Sequence, residues 1–188
     1  MKNTQMHFPS NPDFHNLPLL SATSLHAEKH ILNFAFSEQL VFCNKNTQAL
    51  YISGEISRQA DALNAARDSK LPVFLERGPF LSPSDFDLAL QKLQNSKVYA
   101  VDAGTTFGLS DRVLDPRTLF LLQQSQKEFG INLNAIAFAP EIKWSWTPDW
   151  LHDSLLVNAY LIMAQAFGAH FFIVPQNHNL DLPIRMPQ

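Results

Sequence analysis

Short apolar runs alternate along the chain with stretches in which apolar residues recur every three or four positions. The runs are apolar throughout, which is typical of strands that are covered on both faces of a parallel sheet. The stretches with the longer period are typical of helices that lie against such a sheet. Six runs are predicted to be strands: 40–43, 49–53, 72–75, 97–101, 133–139 and 171–174.

The predicted helices begin with a repeated signal, in which a capping residue is followed by proline. The pairs are Ser82-Pro83, Asp115-Pro116 and Thr147-Pro148. Proline is favoured at the first helical position because its missing N–H would have no partner there in any case. Together with the strands, these helices predict a three-layer α/β domain with a mostly parallel sheet of about five strands, Rossmann-like or Toprim-like in topology.

The length of 188 residues indicates one domain with an extension. Residues 1 to about 24 mix proline, asparagine and serine with scattered aromatic residues, a pattern typical of an arm that lies over a domain. We therefore expect an N-terminal arm and lead-in segment at 1–39 and the α/β domain at 40–188. The arm is expected to be ordered only by its contacts.

The overall composition favours a cytoplasmic protein. No apolar run approaches the roughly 20 residues of a membrane span, and the first residues do not resemble a signal peptide. The single cysteine, Cys43, lies in an apolar run and is expected to be a small buried hydrophobic residue. The net charge is −3 and the 14 basic residues are dispersed, so we expect no measurable affinity for random duplex DNA at physiological salt.

Charged and polar side chains follow several of the predicted strands. Ligands of parallel sheets bind beyond the carboxyl ends of the strands, so Glu55, Arg77, Asp102 and Thr105 are expected to face one crevice. Arg77 is expected to bind an anion there, because a guanidinium is a permanently charged, forked donor. The alternative is that Arg77 forms an ion pair with Glu76 or Asp102.

Two further patterns concern ligands at this rim. The stretch Asp102-Ala103-Gly104-Thr105-Thr106 is similar to the phosphate-binding turn of sugar kinases and actin-like proteins, which makes Gly104 and Thr105 candidate ligand-binding residues. Sugar kinases, however, are much longer and carry this turn near their start. Converging carboxylates also suit Mg²⁺, although they are equally typical of solvated loops.

The order of these features resembles the Toprim domains of primases and plasmid proteins. The resemblance covers about residues 48–153 and rests mainly on the runs 50–55 (Leu-Tyr-Ile-Ser-Gly-Glu) and 97–102 (Lys-Val-Tyr-Ala-Val-Asp). It implies Mg²⁺-dependent phosphoryl transfer on nucleotides or nucleic acid, with Glu55 as the catalytic acid or base and Asp102 as the metal ligand. The family's second metal carboxylate is replaced by Gly104, so the resemblance also implies a degenerate, weakly metal-binding member.

The three tryptophans offer a different hypothesis. Trp144, Trp146 and Trp150 lie within seven residues, beside two prolines. Clustered aromatic side chains supply a large contact area, so these residues could bind a protein partner. The chain would then be a non-catalytic α/β interaction or assembly module. The alternative is that the tryptophans only fix a loop over the core.

Overall fold

The computed structural model describes residues 4–7, 19–20, 29–94, 96–107, 111–128, 133–138 and 154–175. The strands are β1 (Thr4–His7), β2 (Leu19–Leu20), β3 (His30–Asn33), β4 (Thr47–Ile52), β5 (Val73–Arg77), β6 (Val98–Asp102), β7 (Thr105–Phe107), β8 (Asp111–Val113), β9 (Leu133–Phe138) and β10 (Phe171–Pro175). The helices are α1 (Ala60–Asp68), α2 (Pro83–Gln91), α3 (Pro116–Glu128) and α4 (Ser154–Ala166), and a 3-10 helix spans Ser37–Phe42.

Eight of the strands form one sheet in the order β1-β10-β9-β6-β5-β4-β3-β2. All neighbours in this sheet are parallel except β1, which is antiparallel to β10. Strands β7 and β8 form a separate antiparallel pair. The α/β class and the mostly parallel sheet are thus confirmed, but the expected count of about five strands is wrong. The Rossmann-like or Toprim-like topology is not confirmed.

Three strands of the sheet, β1, β2 and β3, come from residues 1–39, which were expected to be an arm and a lead-in segment. The two outer strands of the sheet, β1 and β2, approach each other to within 8 Å between Cα atoms. The sheet therefore curves back towards its own first strand, as the sheet of a barrel does. This curvature gives it an outer face, which packs against helices, and an inner face.

Side chains on both faces of the sheet are buried. On the outer face, alternate residues such as Leu50 and Leu75 belong to one apolar cluster with α1, α2, α3 and α4. On the inner face, Tyr51, Phe74 and Tyr99 are buried as well, and the rings of Phe74 and Tyr99 stack with centroids 4.6 Å apart. Because successive strand residues point to opposite faces, burial of both faces explains the uninterrupted apolar runs.

Two of the three proline signals mark helix starts in the described residues. Helix α2 begins at Pro83, and the Oγ of Ser82 accepts a hydrogen bond from the Asp85 N–H at 3.1 Å. Helix α3 begins at Pro116. The third pair, at residues 147–148, lies outside the described residues. Helices α3 and α4 each have 13 residues, and none of the described helices is long and apolar enough to cross a membrane.

The strand predicted at 40–43 is wrong, because these residues lie at and just beyond the end of the 3-10 helix. The side-chain oxygen Oε1 of Gln39 accepts hydrogen bonds from the N–H groups of Ala35 (2.6 Å) and Phe36 (3.0 Å), which fixes the start of that helix. Val41 is 80% exposed, so the apolar run does not enter the sheet. Cys43 is half-buried against the apolar cluster, and this burial raises the pKa of its thiol.

Candidate ligand site at the carboxyl ends of β5 and β6

A cavity of about 630 Å³ opens at the carboxyl ends of β5 and β6. Three segments line it: residues 77–83, which end β5 and lead into α2, the first two residues of β7, and the start of α3 with residue 115 before it. The first turns of two helices therefore meet at this cavity. Helix N-termini carry partial positive charge and free N–H groups, so such a place favours anionic ligands.

Arg77 lies at the base of the cavity, and its guanidinium donates to acceptors on both neighbouring loops. Nη1 donates to the carbonyl oxygens of Leu81 (2.6 Å) and Gly78 (3.3 Å), within the loop after β5. Nη2 donates to the carbonyl oxygen of Gly104 (3.2 Å) and to the Oγ1 of Thr105 (2.7 Å), in the segment after β6. Arg77 thus joins the two loops that form the cavity.

Asp102 completes this network from the end of β6. Its Oδ1 accepts from the Nε of Arg77 at 2.9 Å and lies 2.7 Å from Nη2, and the two side chains are 2% and 0% exposed. Burial raises the pKa of Asp102, while the charge of Arg77 opposes that rise. The five N–H groups of the Arg77 guanidinium all face acceptors within the protein. This arrangement fits the predicted alternative of an ion pair with Asp102 better than it fits the binding of an external anion.

Gly104 and Thr105, the predicted ligand-binding residues, lie beside Arg77. Gly104 has a φ of +93°, and a Cβ there would lie 3.1 Å from the carbonyl oxygen of Val113. This left-handed turn directs the Gly104 carbonyl oxygen and the Thr105 hydroxyl towards the guanidinium. Thr105 also lines the cavity, as does Thr106. Whether either residue binds a ligand stays a prediction.

Sequence patterns missed a second guanidinium at the cavity, that of Arg117. It belongs to the first turn of α3 and pairs with Asp115, whose side chain is 21% exposed while that of Arg117 is 85% exposed. The Nη2 of Arg117 donates to Oδ2 at 2.7 Å, and its Nε donates to Oδ1 at 2.9 Å. The hydrogen bond from Arg117 lowers the pKa of Asp115, so this carboxylate is ionised at neutral pH.

Glu55, the predicted catalytic residue, is exposed in the turn after β4 and does not line the cavity. The structure therefore brings together Arg77, Asp102, Gly104 and Thr105, but it does not place Glu55 with them. Among the described residues, no group of three or more histidine, cysteine, aspartate or glutamate side chains could hold a metal ion. The roles predicted for Glu55 and for Asp102 as a metal ligand are not tested by these observations.

Glu76 lies on the inner face of the sheet, opposite to its neighbour Arg77. Its Oε2 accepts a hydrogen bond from the hydroxyl of Tyr51 at 2.6 Å, and its Oε1 lies 3.9 Å from the Nη1 of Arg112. Sequence patterns offered Glu76 as an ion-pair partner of Arg77 and did not find its hydrogen bond with Tyr51, because Tyr51 and Glu76 belong to different strands. The alternation of side chains along β5 is the signal that separates Glu76 from Arg77.

Two glycines bring the loops after β4 and β5 into direct contact. A Cβ on Gly54 would lie 2.9 Å from the carbonyl oxygen of Arg77 and from the Cα of Gly78. A Cβ on Gly78 would lie 2.9 Å from the carbonyl oxygen of Gly54. Since the neighbouring atoms belong to the backbone, no side chain fits at either position without a shift of a loop.

No protein family model matches the chain. Three curated relatives are each described as a 2-dehydro-3-deoxyphosphooctonate aldolase. That of Protochlamydia amoebophila is 31% identical over 80 residues, which are 41% of this chain and 29% of the relative. That of Desulfotalea psychrophila is 38% identical over 73 residues (37% and 26%), and that of Campylobacter jejuni is 28% identical over 102 residues (47% and 38%).

The chain is similar to part of these aldolases. It spans between about a quarter and two fifths of their length. The relatives contradict the Toprim resemblance, together with Mg²⁺-dependent chemistry on nucleotides or nucleic acid, because their names describe a different substrate and a different reaction. They do not favour the non-catalytic interaction module either. The roles of Glu55 and Asp102 as acid or base and metal ligand came from that resemblance and lose its support.

The physical reason for the mistaken resemblance lies in the motifs that carried it. Each motif is an apolar run that ends in a small or acidic residue, at 50–55 and at 97–102. The structure shows that both runs are parallel strands followed by turns at the same rim of the sheet. Any parallel α/β domain needs such transitions, so the motifs indicate the architecture and do not distinguish one family from another.

Proposed function

We propose that this chain binds a phosphorylated 2-oxo sugar acid, or a fragment of one, in the cavity at the carboxyl ends of β5 and β6. We further propose that it takes part in an aldol-type reaction on that ligand. The position of the cavity carries the proposal: it lies at the rim of parallel strands, between the first turns of α2 and α3. The relatives that act on a phosphooctonate support the class of ligand.

The fold proposed with this function is a barrel of eight strands surrounded by helices. Its support is the contact between the outer strands β1 and β2, which turns the sheet back on itself. Sites in barrels of parallel strands lie at the carboxyl ends of those strands, in the loops that follow them. The cavity occupies such loops, after β5 and after β6.

The chemistry of the ligand matches the lining of the cavity. An aldol cleavage of a 2-oxo-3-deoxy sugar acid breaks the bond between C3 and C4, which gives a three-carbon 2-oxo acid and a shorter aldose phosphate. Each fragment carries an anionic group, and the aldose phosphate also carries hydroxyl groups. The cavity supplies a guanidinium on Arg117 and hydroxyls on Thr106 and Thr118. Anions bind well to such donors at helix N-termini.

The size and the apolar part of the cavity also fit a ligand of this kind. A volume of about 630 Å³ falls in the range of about 300 to 1,000 Å³ that is usual for small-molecule sites. Phe80 and Leu121 line the cavity and are 85% and 43% exposed. These side chains can cover the carbon chain of a sugar acid and remove its apolar edges from water.

Calorimetric titration with 2-dehydro-3-deoxyoctonate 8-phosphate tests the ligand, and the unphosphorylated acid serves as the matched comparison. We expect the phosphorylated acid to bind at least about tenfold more tightly, since a charge-assisted hydrogen bond contributes about 1.5–3 kcal/mol. Release of a five-carbon aldose phosphate from the bound acid would show the reaction. A dissociation constant weaker than about 1 mM for both compounds would contradict the proposal.

A substitution that fills the cavity locates the binding. Thr106→Trp places an indole among the lining residues and should abolish binding of the phosphorylated acid. Asn64→Trp adds the same ring on the exposed face of α1 and should leave binding unchanged. Equal affinity of the two variants would show that the ligand binds elsewhere.

A further inference from the structure

Two guanidinium groups line the cavity, and they differ in how firmly they are held. The side chain of Arg77 is 2% exposed and donates to acceptors on five other residues. The side chain of Arg117 is 85% exposed, and among the described residues its guanidinium donates hydrogen bonds to Asp115. Both arginine side chains line the same cavity.

This difference decides which guanidinium can turn towards a ligand. If Arg77 turned away, the carboxylate of Asp102 would be left buried and the hydrogen bonds through which Arg77 joins the two loops would be lost. Breaking a buried ion pair on one side is strongly unfavourable. An exposed pair such as Arg117 with Asp115 is held weakly, because water competes for both partners.

We propose that Arg117 is the anion-recognition residue of this cavity and that Asp115 holds its guanidinium until a ligand phosphate takes the place of the carboxylate. This inference rests on the proposed function for the identity of the ligand. It adds that the Arg117 guanidinium exchanges its partner, leaving the Asp115 carboxylate and binding the phosphate of the ligand.

The geometry of the pair supports this exchange. Asp115 accepts from both Nε and Nη2 of Arg117, at 2.9 and 2.7 Å, which is the two-pronged arrangement that a phosphate also accepts. The Oδ1 of Asp115 further accepts the Arg117 backbone N–H at 3.0 Å. The carboxylate therefore occupies the position at the start of α3 where an external anion would bind.

In this exchange Asp115 competes with the ligand phosphate for the Arg117 guanidinium. The substitution Asp115→Asn, which removes the charge and keeps the shape, tests this competition. In Asp115→Asn the side-chain oxygen can still accept the Arg117 backbone N–H, and asparagine is as good a residue as aspartate at the start of a helix. The charge that holds the guanidinium and repels a phosphate is removed. We therefore expect tighter phosphate binding with little change in thermal stability.

The test titrates inorganic phosphate and 2-dehydro-3-deoxyoctonate 8-phosphate into the wild type and four variants. Arg117→Ala should weaken both ligands about tenfold or more, and Arg117→Lys should restore part of the loss because it keeps the charge without the fork. Asp115→Asn should bind both ligands a fewfold more tightly. Arg67→Ala is the matched control, since Arg67 also pairs with a neighbouring aspartate, Asp68, but lies on α1 away from the cavity.

The outcomes separate this inference from the proposed function. If the wild type binds the sugar acid and Arg117→Ala binds it equally well, the inference is overturned and the proposed function survives. If inorganic phosphate binds through Arg117 but the sugar acid does not, the inference is supported and the ligand class fails. Weaker rather than tighter binding by Asp115→Asn, with an unchanged melting temperature, would also overturn the exchange.

Discussion

The Nη2 of Arg77 and the Oδ1 of Asp102 lie 2.7 Å apart at the ends of adjacent strands, and both side chains are almost fully buried. The two residues pair directly in the register of β5 and β6. Attraction between buried charges offsets the cost of removing them from water only when the geometry is good and the other donors are satisfied. Here the remaining donors of Arg77 reach carbonyl and hydroxyl oxygens of the two loops.

Replacement of Arg77 by methionine should therefore lower the free energy of unfolding by about 3–5 kcal/mol, because it leaves the carboxylate of Asp102 buried without its partner. Urea denaturation measures this change. In the double variant Arg77→Met/Asp102→Leu part of the loss should be recovered. Arg67→Met, which breaks an exposed pair, should cost at most about 1 kcal/mol; a similar loss in both single variants would contradict the structural role of Arg77.

Arg77→Met should also make the free energy of unfolding more dependent on pH. Burial raises the pKa of Asp102 above its ordinary value of 3.8, and Arg77 opposes this. Without Arg77 the pKa of folded Asp102 rises further, so the folded state binds a proton more tightly than the unfolded state does. This contribution to stability is complete below pH 3.8 and is lost as the pH rises through the folded pKa.

Urea denaturation of Arg77→Met between pH 4 and 8 measures this effect. Its stability should fall more steeply with rising pH than that of the wild type. The double variant Arg77→Met/Asp102→Asn carries no carboxyl group at this position and should lose the extra slope. Parallel curves for Arg77→Met and the wild type would refute the assignment to Asp102.

Gly54→Ala should lower the free energy of unfolding by more than the roughly 1–3 kcal/mol that adding a methylene group to a packed core usually costs. The added Cβ would meet backbone atoms of Arg77 and Gly78 at 2.9 Å, and these cannot rotate away. Because the loop after β5 lines the cavity, ligand affinity should fall with stability. Gly168→Ala is the comparison, since Gly168 lies outside the cavity: its φ of +95° costs a residue with a Cβ about 1–2 kcal/mol. The added Cβ would also displace the flexible amide of Gln123 from the Phe167 carbonyl oxygen.

Residues 1–20 should be required for a fully cooperative fold. They contain β1, which pairs with β10, and β2, which pairs with β3. Replacing residues 4–7 by glycine and serine keeps the length of the chain but removes the preference for a strand, so it should lower the melting temperature and expose the edge of β10 to solvent. Hydrogen exchange at the backbone amides of residues 171–174 measures that exposure, since Pro175 has no N–H. Unchanged protection there would show that β1 is dispensable.

The parts of the fold that were predicted correctly depend on local chemistry. Ser82 and Pro83 are adjacent, and the cap needs only the N–H of Asp85, three residues after Ser82. The adjacency of Arg77 and Asp102 follows from one general property, that the carboxyl ends of neighbouring parallel strands meet at one rim. Such features need no knowledge of the complete sheet.

The parts that failed depend on distant partners. Thr4–His7 contains no apolar run, and it becomes a strand because β10 offers it a backbone edge. The run at 40–43 has the composition of a strand, yet its first three residues belong to a 3-10 helix whose start is fixed by the Gln39 side chain. Sequence patterns did not predict a role for Arg117, because Asp115 and Pro116 just before it are typical of an ordinary helix N-terminus. The tryptophans at 144, 146 and 150 lie outside the described residues, so their role in binding a protein partner stays a prediction. The expected lack of affinity for random duplex DNA stays a prediction as well.

The pairing of β1 with β10 also concerns the order of events during synthesis. Thr4 is synthesised 171 residues before its partner Pro175, so β1 and β10 can pair only after the whole segment between them has been made. Contacts between such distant positions form slowly, because a long stretch of chain must be ordered before they bring any gain. Until then the first strand has no edge to pair with, and β10 offers an open edge to other nascent chains. The period between the synthesis of β10 and its pairing with β1 is therefore a time at which this protein is exposed to aggregation.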